Sequence, residues 1–238
     1  TGLRAEVGVS AEAGLPQLRH ADLGAEISLQ SAQYQMQAMQ AQIKPHFMYN
    51  ILDSIKWMIL DEKTQESARM LNELSRFLRL SFGKGTGIVT MEQELECLNA
   101  YVKLMQDRYE GAFTYTVDVE EDTLDNQIPK FTLQPLVENA LLHGLLHCDK
   151  KDKCIMVRSW MDENAWYIEI EDNGMGMTQE EADLILENEN NVQADNYGIY
   201  NIRGRLRIFS ENRCHMRVIS RPGIGTCVCI EITKRKEK

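Results

Sequence analysis

Apolar positions recur at helical spacing through the first half of the chain and at strand spacing through much of the second, and the change falls near residue 110. Ala25, Leu29, Ala32, Met36, Met39 and Ile43 follow the alternation of heptad a and d positions, predicting a helix that pairs with a second copy as a dimeric coiled coil. Pro45 interrupts this seam and predicts a kink or a fresh helix start, with His46 in the first turn beyond it. Helical spacing returns over 46–60 (Phe47, Ile51, Ile55, Met58) and over 65–82 (Met70, Leu74, Phe77), predicting a helical hairpin. A glycine-rich break at 83–87 follows, and Thr90 with Gln93 forms a capping box for a helix reaching about Tyr109.

Beyond 110, strands are predicted at 113–119, 154–161, 165–171, 215–220 and 226–232, and helices at 133–146, 178–188 and 198–209. Hairpin-joined strands with interspersed helices predict an α+β fold with one helix layer on a mixed sheet. The expected division is residues 1–24 as a linker or fused foreign segment, 25–109 as a helical domain and 110–238 as an α/β domain.

Composition narrows the function. With 43% hydrophobic and 26% charged residues the chain is of the globular class, and a formal net charge of −10 disfavours nucleic acid as a partner. No apolar run approaches the roughly 18 residues needed to cross a bilayer. The first residue is Thr rather than Met, so upstream segments are expected to be missing. Six scattered cysteines with no CxxC pair read as reduced thiols of a cytosolic protein. Cys227 and Cys229 share one face of a strand, where packing is favoured over metal ligation because no second ligand pair is evident.

The candidate chemistry gathers in four places. Asp172-Asn-Gly-Met-Gly176 puts a carboxylate at a strand end, followed by glycines that let a ligand approach the backbone, although a simple Asp-Gly turn has the same pattern. Gln134-Pro-Leu-Val-Glu-Asn-Ala140 lies on a preceding helix, Gly198-Ile-Tyr-Asn-Ile-Arg203 opens a later one, and Gly223-Ile-Gly-Thr226 precedes the last strand. This ordered array resembles the ATP-binding domain shared by sensor histidine kinases, gyrase-type ATPases and Hsp90, the Bergerat or GHKL fold. Ile43-Lys-Pro-His-Phe-Met-Tyr-Asn-Ile-Leu52 resembles the phosphoacceptor box of LytS-type sensor histidine kinases, and Leu133 to Ala140 with His143-Gly144 resembles their N box.

The resemblance implies an α/β-sandwich that binds ATP and Mg²⁺ behind a dimerisation and phosphoacceptor hairpin, with residues 25–82 forming a homodimer. His46 is implied as the phosphorylated nucleophile and Asn50, one helical turn on, as its companion. Asn139 is implied as the Mg²⁺ ligand, Glu138 as a partner of metal-bound water or of the acceptor proton, and His143 as a neighbour of phosphate on the same helix face. Asp172 would receive the adenine amino group, with Gly174 and Gly176 beside the base; residues 177–197 would form a lid. Gly198, Asn201 and Arg203 would meet the phosphates at a helix start, and Gly225 and Thr226 would shape the pocket wall.

The implied partner is the receiver domain of a response regulator, and the implied setting is the cytoplasmic side of a membrane-anchored parent. Three positions depart from related patterns. Phe47 stands where many histidine kinases place an acidic proton acceptor, which leaves the base unassigned. Leu142 replaces the usual lysine of the N box, removing a phosphate cation, and Pro135 replaces the glutamate with which gyrase-type enzymes activate water. A nucleotide-binding scaffold with degraded catalysis and a gyrase-like ATPase are the competing functions.

Overall fold

A computed structural model describes residues 45–82, 87–187 and 197–235. The predicted coiled-coil seam at 25–43, residues 1–24 and the Asn-rich stretch at 188–196 lie outside them. The chain divides into two compact units, residues 1–50 and 51–238. Of the first, the described part is the opening of helix α1 (Pro45–Leu60), and Pro45 is its first residue, where a missing amide donor costs nothing.

In the second unit a tight turn with Glu62 in the left-handed region leads to α2 (Thr64–Phe82). Short strand β1 (Ile88–Thr90) runs into α3 (Met91–Arg108), whose start is the predicted capping box: Gln93 N–H donates to Thr90 Oγ1, and Thr90 N–H donates to Gln93 Oε1. Met70, Leu74 and Phe77 of α2 are buried, as are Leu98, Tyr101 and Met105 of α3, and the pairs Arg69–Asp107 and Arg76–Glu96 tie the helices at the surface.

The remaining elements are β2 (Thr114–Val119), a 3₁₀ turn at Glu121–Thr123, β3 (Gln127–Pro129), α4 (Leu133–Asn139), β4 (Cys154–Met161), β5 (Ala165–Asp172), α5 (Gln179–Glu187), α6 (Tyr197–Phe209), β6 (Cys214–Arg221) and β7 (Gly225–Thr233). Strand β1 pairs with β3, a small sheet that three-residue strands leave invisible to periodicity. The main sheet has the order β2-β4-β5-β7-β6, with β2–β4 parallel and the other pairs antiparallel, so the α+β class with a mixed sheet holds.

Its register aligns residues in rows across the helix-covered face. Ser159, Ile168, Ile230 and Met216 form one row, Val157, Ile170, Val228 and Val218 the next, and all eight are buried. The opposite face carries Arg158, Glu169, Glu171, Arg217 and Glu231, which accounts for the alternation along each strand. Within this face a buried polar pair is matched: Trp166 Nε1 donates to Ser159 Oγ at 2.8 Å.

One tie crosses from α3 to α4. Glu94 is 2% exposed, and its carboxylate accepts the backbone N–H groups of Phe131 (3.0 Å), Thr132 (2.7 Å) and Leu133 (2.9 Å), the orphan donors at the start of α4. Burial pushes this carboxyl above its ordinary range, while the three amides and Arg205 pull it back. Arg205 on α6 donates to the Lys130 and Phe131 carbonyls of the same junction. Glu94→Ala leaves three buried amides without an acceptor and is expected to destabilise the protein by about 3 kcal/mol or more, read as a lower urea midpoint.

Candidate nucleotide site

The third row of the sheet breaks the apolar pattern. Ile155 is followed across the strands by Asp172, Thr226 and Ser220, so a polar line ends the helix-covered face where β5 and β6 finish and β7 begins. Asp172 is 6% exposed. Its Oδ1 accepts the Gly174 N–H at 2.8 Å, and Ser220 Oγ lies 2.9 Å from Thr226 Oγ1 while accepting the Met177 N–H.

Residues without side chains make room for this carboxylate. A Cβ on Gly144 would fall 2.7 Å from Asp172 Oδ1, and one on Gly174 would fall 2.4 Å from the Gly144 carbonyl carbon. The Gly144 carbonyl instead accepts the Met175 N–H at 3.1 Å, joining the N-box segment to the Asp172 loop. Gly225, at φ +145°, lies against the Asp172 carbonyl, where a Cβ would overlap the oxygen. Gly176 is likewise closed against the Arg221 carbonyl.

Two residues that hold this loop were not singled out from the sequence. Lys150 donates to the carbonyls of Asn173 (2.6 Å) and Ile224 (2.9 Å), clamping the Asp172 loop to the 222–225 turn. Asn173 Oδ1 accepts the Cys154 N–H while its amide donates to Asp152. A lone lysine and an Asn before Gly carry no long-range signal. Glu94 and Arg205 were missed for the same reason, since only the fold brings them to the start of α4.

The N-box helix departs from the predicted single α-helix. After Asn139 it continues as a π-helix, Ala140–Leu145, a form often found at functional sites. His143 in this segment is exposed, whereas Asn139 is half-buried. Asn139 Nδ2 lies 3.8 Å from the position of a Cβ on Gly198, so the start of α6 and the N box face each other across a bare glycine. Glu138 is half-buried, and its charge adds to burial in raising the Tyr101 phenol. Asn201 is exposed, and Arg203 Nη1 donates to the Leu186 carbonyl at the end of α5.

In the first unit His46 is exposed, and Asn50 Nδ2 stands 3.0 Å from its Nδ1 and 3.3 Å from its Nε2. An amide N–H donated to Nδ1 places the ring proton on Nε2. With the amide turned over, Oδ1 accepts Nδ1–H and the ring lone pair is on Nε2.

Comparison with known proteins assigns the class: the chain belongs to the histidine kinase family. Residues 34–113 match the histidine kinase family model. Over 206 residues it is 32% identical to the putative uncharacterized protein YwpD of Bacillus subtilis, covering 85% of this chain and 71% of that protein. It is 32% identical over 203 residues to the sensor histidine kinase YesM of B. subtilis and 25% identical over 201 residues to the sensor protein kinase HptS of Staphylococcus aureus. These matches cover 85% and 83% of this chain but 34% and 38% of YesM and HptS, so the chain spans about a third of those two relatives. Among solved structures, the histidine kinase domain of the Erythrobacter litoralis blue-light activated kinase overlays at TM-score 0.44 with 19% identity, covering 84% of this chain and 93% of that one. That overlay is loose, and membership rests on the sequence relatives. Among the described residues no helix is long and apolar enough to cross a membrane.

Burial pushes the Asp172 carboxyl up to about 6, against the pull of the Gly174 and Thr226 amides and Lys150. An unfolded aspartate ionises near 4, so this group's contribution to stability declines as pH rises from about 4 to 6 and is lowest above 6. Asp172→Asn, which carries no charge to bury, is therefore expected to be about 1–3 kcal/mol more stable than wild type at pH 8 in the absence of nucleotide. The gain should shrink toward zero near pH 4, measured by urea unfolding at both pH values.

Proposed function

We propose that this chain is the kinase core of a two-component sensor, which uses ATP to phosphorylate its own His46 and passes the phosphoryl group to an aspartate of a response regulator. Residues 25–109 would form the dimerisation and phosphoacceptor region and 110–238 the ATP-binding region. The observation that carries this reading is Asp172, a buried carboxylate at a strand end with two bare glycines, Gly144 and Gly174, packed around it. A carboxylate acceptor at a strand end suits an adenine amino group, and Thr226 and Ser220 extend the polar wall.

The donor set also fits Mg²⁺, a hard cation that takes oxygen ligands: Asn139 would supply its amide oxygen, with Glu138 holding a coordinated water. Bound there, Mg²⁺ would neutralise charge on the triphosphate. Gly198 at the start of α6 would offer its backbone amide to a phosphate oxygen and Asn201 its side-chain amide, and His143 would approach them from the N box. Arg203 would join them on releasing the Leu186 carbonyl.

In the reaction a neutral imidazole nitrogen of His46 attacks the γ-phosphorus in line. A P–N bond forms as the bond to the bridging oxygen breaks, and ADP departs. The Asn50 orientation that accepts Nδ1–H leaves the nucleophilic lone pair on Nε2. In the parent protein, segments preceding this chain would carry the signal input and the membrane anchor.

Leu142 favours a second reading, a scaffold that binds nucleotide without transferring phosphate, because the N box then lacks one phosphate cation. Incubation with γ-labelled ATP and Mg²⁺ separates the two. The kinase reading expects acid-labile, base-stable label on the wild type, abolished in His46→Ala, and reduced at least about tenfold in Asn139→Ala while that variant stays folded. Nucleotide binding with no labelled histidine would establish the scaffold, and phosphate release unaffected by His46→Ala would establish an ATPase.

A further inference from the structure

The solvent-facing side of the main sheet carries a cluster that nucleotide chemistry does not use. Cys227 and Cys229 project from one face of β7 with their sulfurs 3.5 Å apart, and Glu169, which pairs with Cys229 across the ladder, brings Oε1 to 3.5 Å from Cys229 Sγ. All three ligand atoms lie within 4.8 Å of one another. Among the described residues this is the only group of three or more His, Cys, Asp or Glu side chains whose ligand atoms gather so closely.

Tetrahedral zinc with bonds of about 2.3 Å to sulfur and 2.0 Å to oxygen has S···S and S···O edges of about 3.8 and 3.5 Å. The observed separations of 3.5 Å are within a few tenths of an ångström of both edges. The third ligand, absent from the local sequence around the two cysteines, arrives from the neighbouring strand 58 positions before Cys227 through the β5–β7 register.

We propose that Cys227, Cys229 and Glu169 form a binding site for a thiophilic divalent cation, Zn²⁺ by its ligand chemistry, with water in the fourth position. Two thiolates and a carboxylate around a dication leave one negative charge. Two arginines stand beside it, each also paired with a second carboxylate: Arg158 Nη1 is 3.8 Å from Glu169 Oε2 and Arg158 pairs with Glu171, while Arg217, the cross-strand partner of Cys229 on β6, pairs with Glu231. Arg158 engages Oε2 and leaves Oε1 turned toward the sulfurs. Glu169 and Cys227 are half-buried, so a cation can reach the cluster from solvent. Occupancy would tie β5 to β7, the strands whose ends carry Asp172 and Thr226.

The test uses the reduced, metal-free protein titrated with Cd²⁺, whose bonds to thiolate give a charge-transfer absorption in the ultraviolet. One Cd²⁺ per chain is expected, displaced by Zn²⁺, with affinity falling at least about tenfold in each of Cys227→Ser and Cys229→Ser and by a smaller factor in Glu169→Gln. Cys148→Ser and Cys154→Ser should leave the band intact. X-ray absorption of the zinc form should show two sulfur neighbours near 2.3 Å with lighter ligands completing the shell, a measurement that needs no variant to fold. Absence of the band in the wild type, its survival in both Cys227→Ser and Cys229→Ser, or a zinc shell without sulfur would overturn the proposal.

Discussion

A carboxylate held out of water at the end of a central strand sets the terms for the α/β unit. Asp172 occupies the row position where the sheet's apolar pattern would place another aliphatic side chain, and its desolvation is offset only in part by amides and a nearby lysine. Neighbouring segments are shaped around it. The N-box segment contributes a residue with no side chain, the following loop doubles back through another, and β7 opens on a glycine whose φ only that residue adopts readily. The site is a defect in the sheet's hydrophobic rows that three separate segments agree to accommodate.

A second buried carboxylate governs the path into that site. Glu94 reaches from α3 to the first amides of α4 and fixes where the helix bearing Glu138 and Asn139 begins. Arg205 fastens α6 to the same junction from the other side. The two segments that face each other across Gly198 are thereby positioned by groups outside the site. Such long-range caps make the geometry depend on helix packing rather than on helix propensity, since α4 is only seven residues long.

Much of the architecture was legible in the chain because periodicity is a direct imprint of burial. The helices at 46–60, 65–82 and near 91–108 and the five strands of the main sheet lie within a residue or two of their expected bounds. The Thr90–Gln93 box could be read because capping is a contact between residues three apart. The strands at 88–90 and 127–129 were invisible, being too short to show alternation. The change from α to π after Asn139 was also hidden, because the apolar residues Leu141, Leu142 and Leu145 suit either winding.

The sequence by itself determined the class of fold, the family through the order of its motifs, and the placement of Asp172 at a strand end before Gly174 and Gly176, because each of these is written in residues close along the chain. Tertiary structure alone decided which distant groups converge. Lys150 on the Asp172 loop, Glu94 under α4 and Glu169 against Cys229 are joined by sheet register and helix packing. Those contacts span tens of residues, and a single sequence records such separations only after the backbone has closed them.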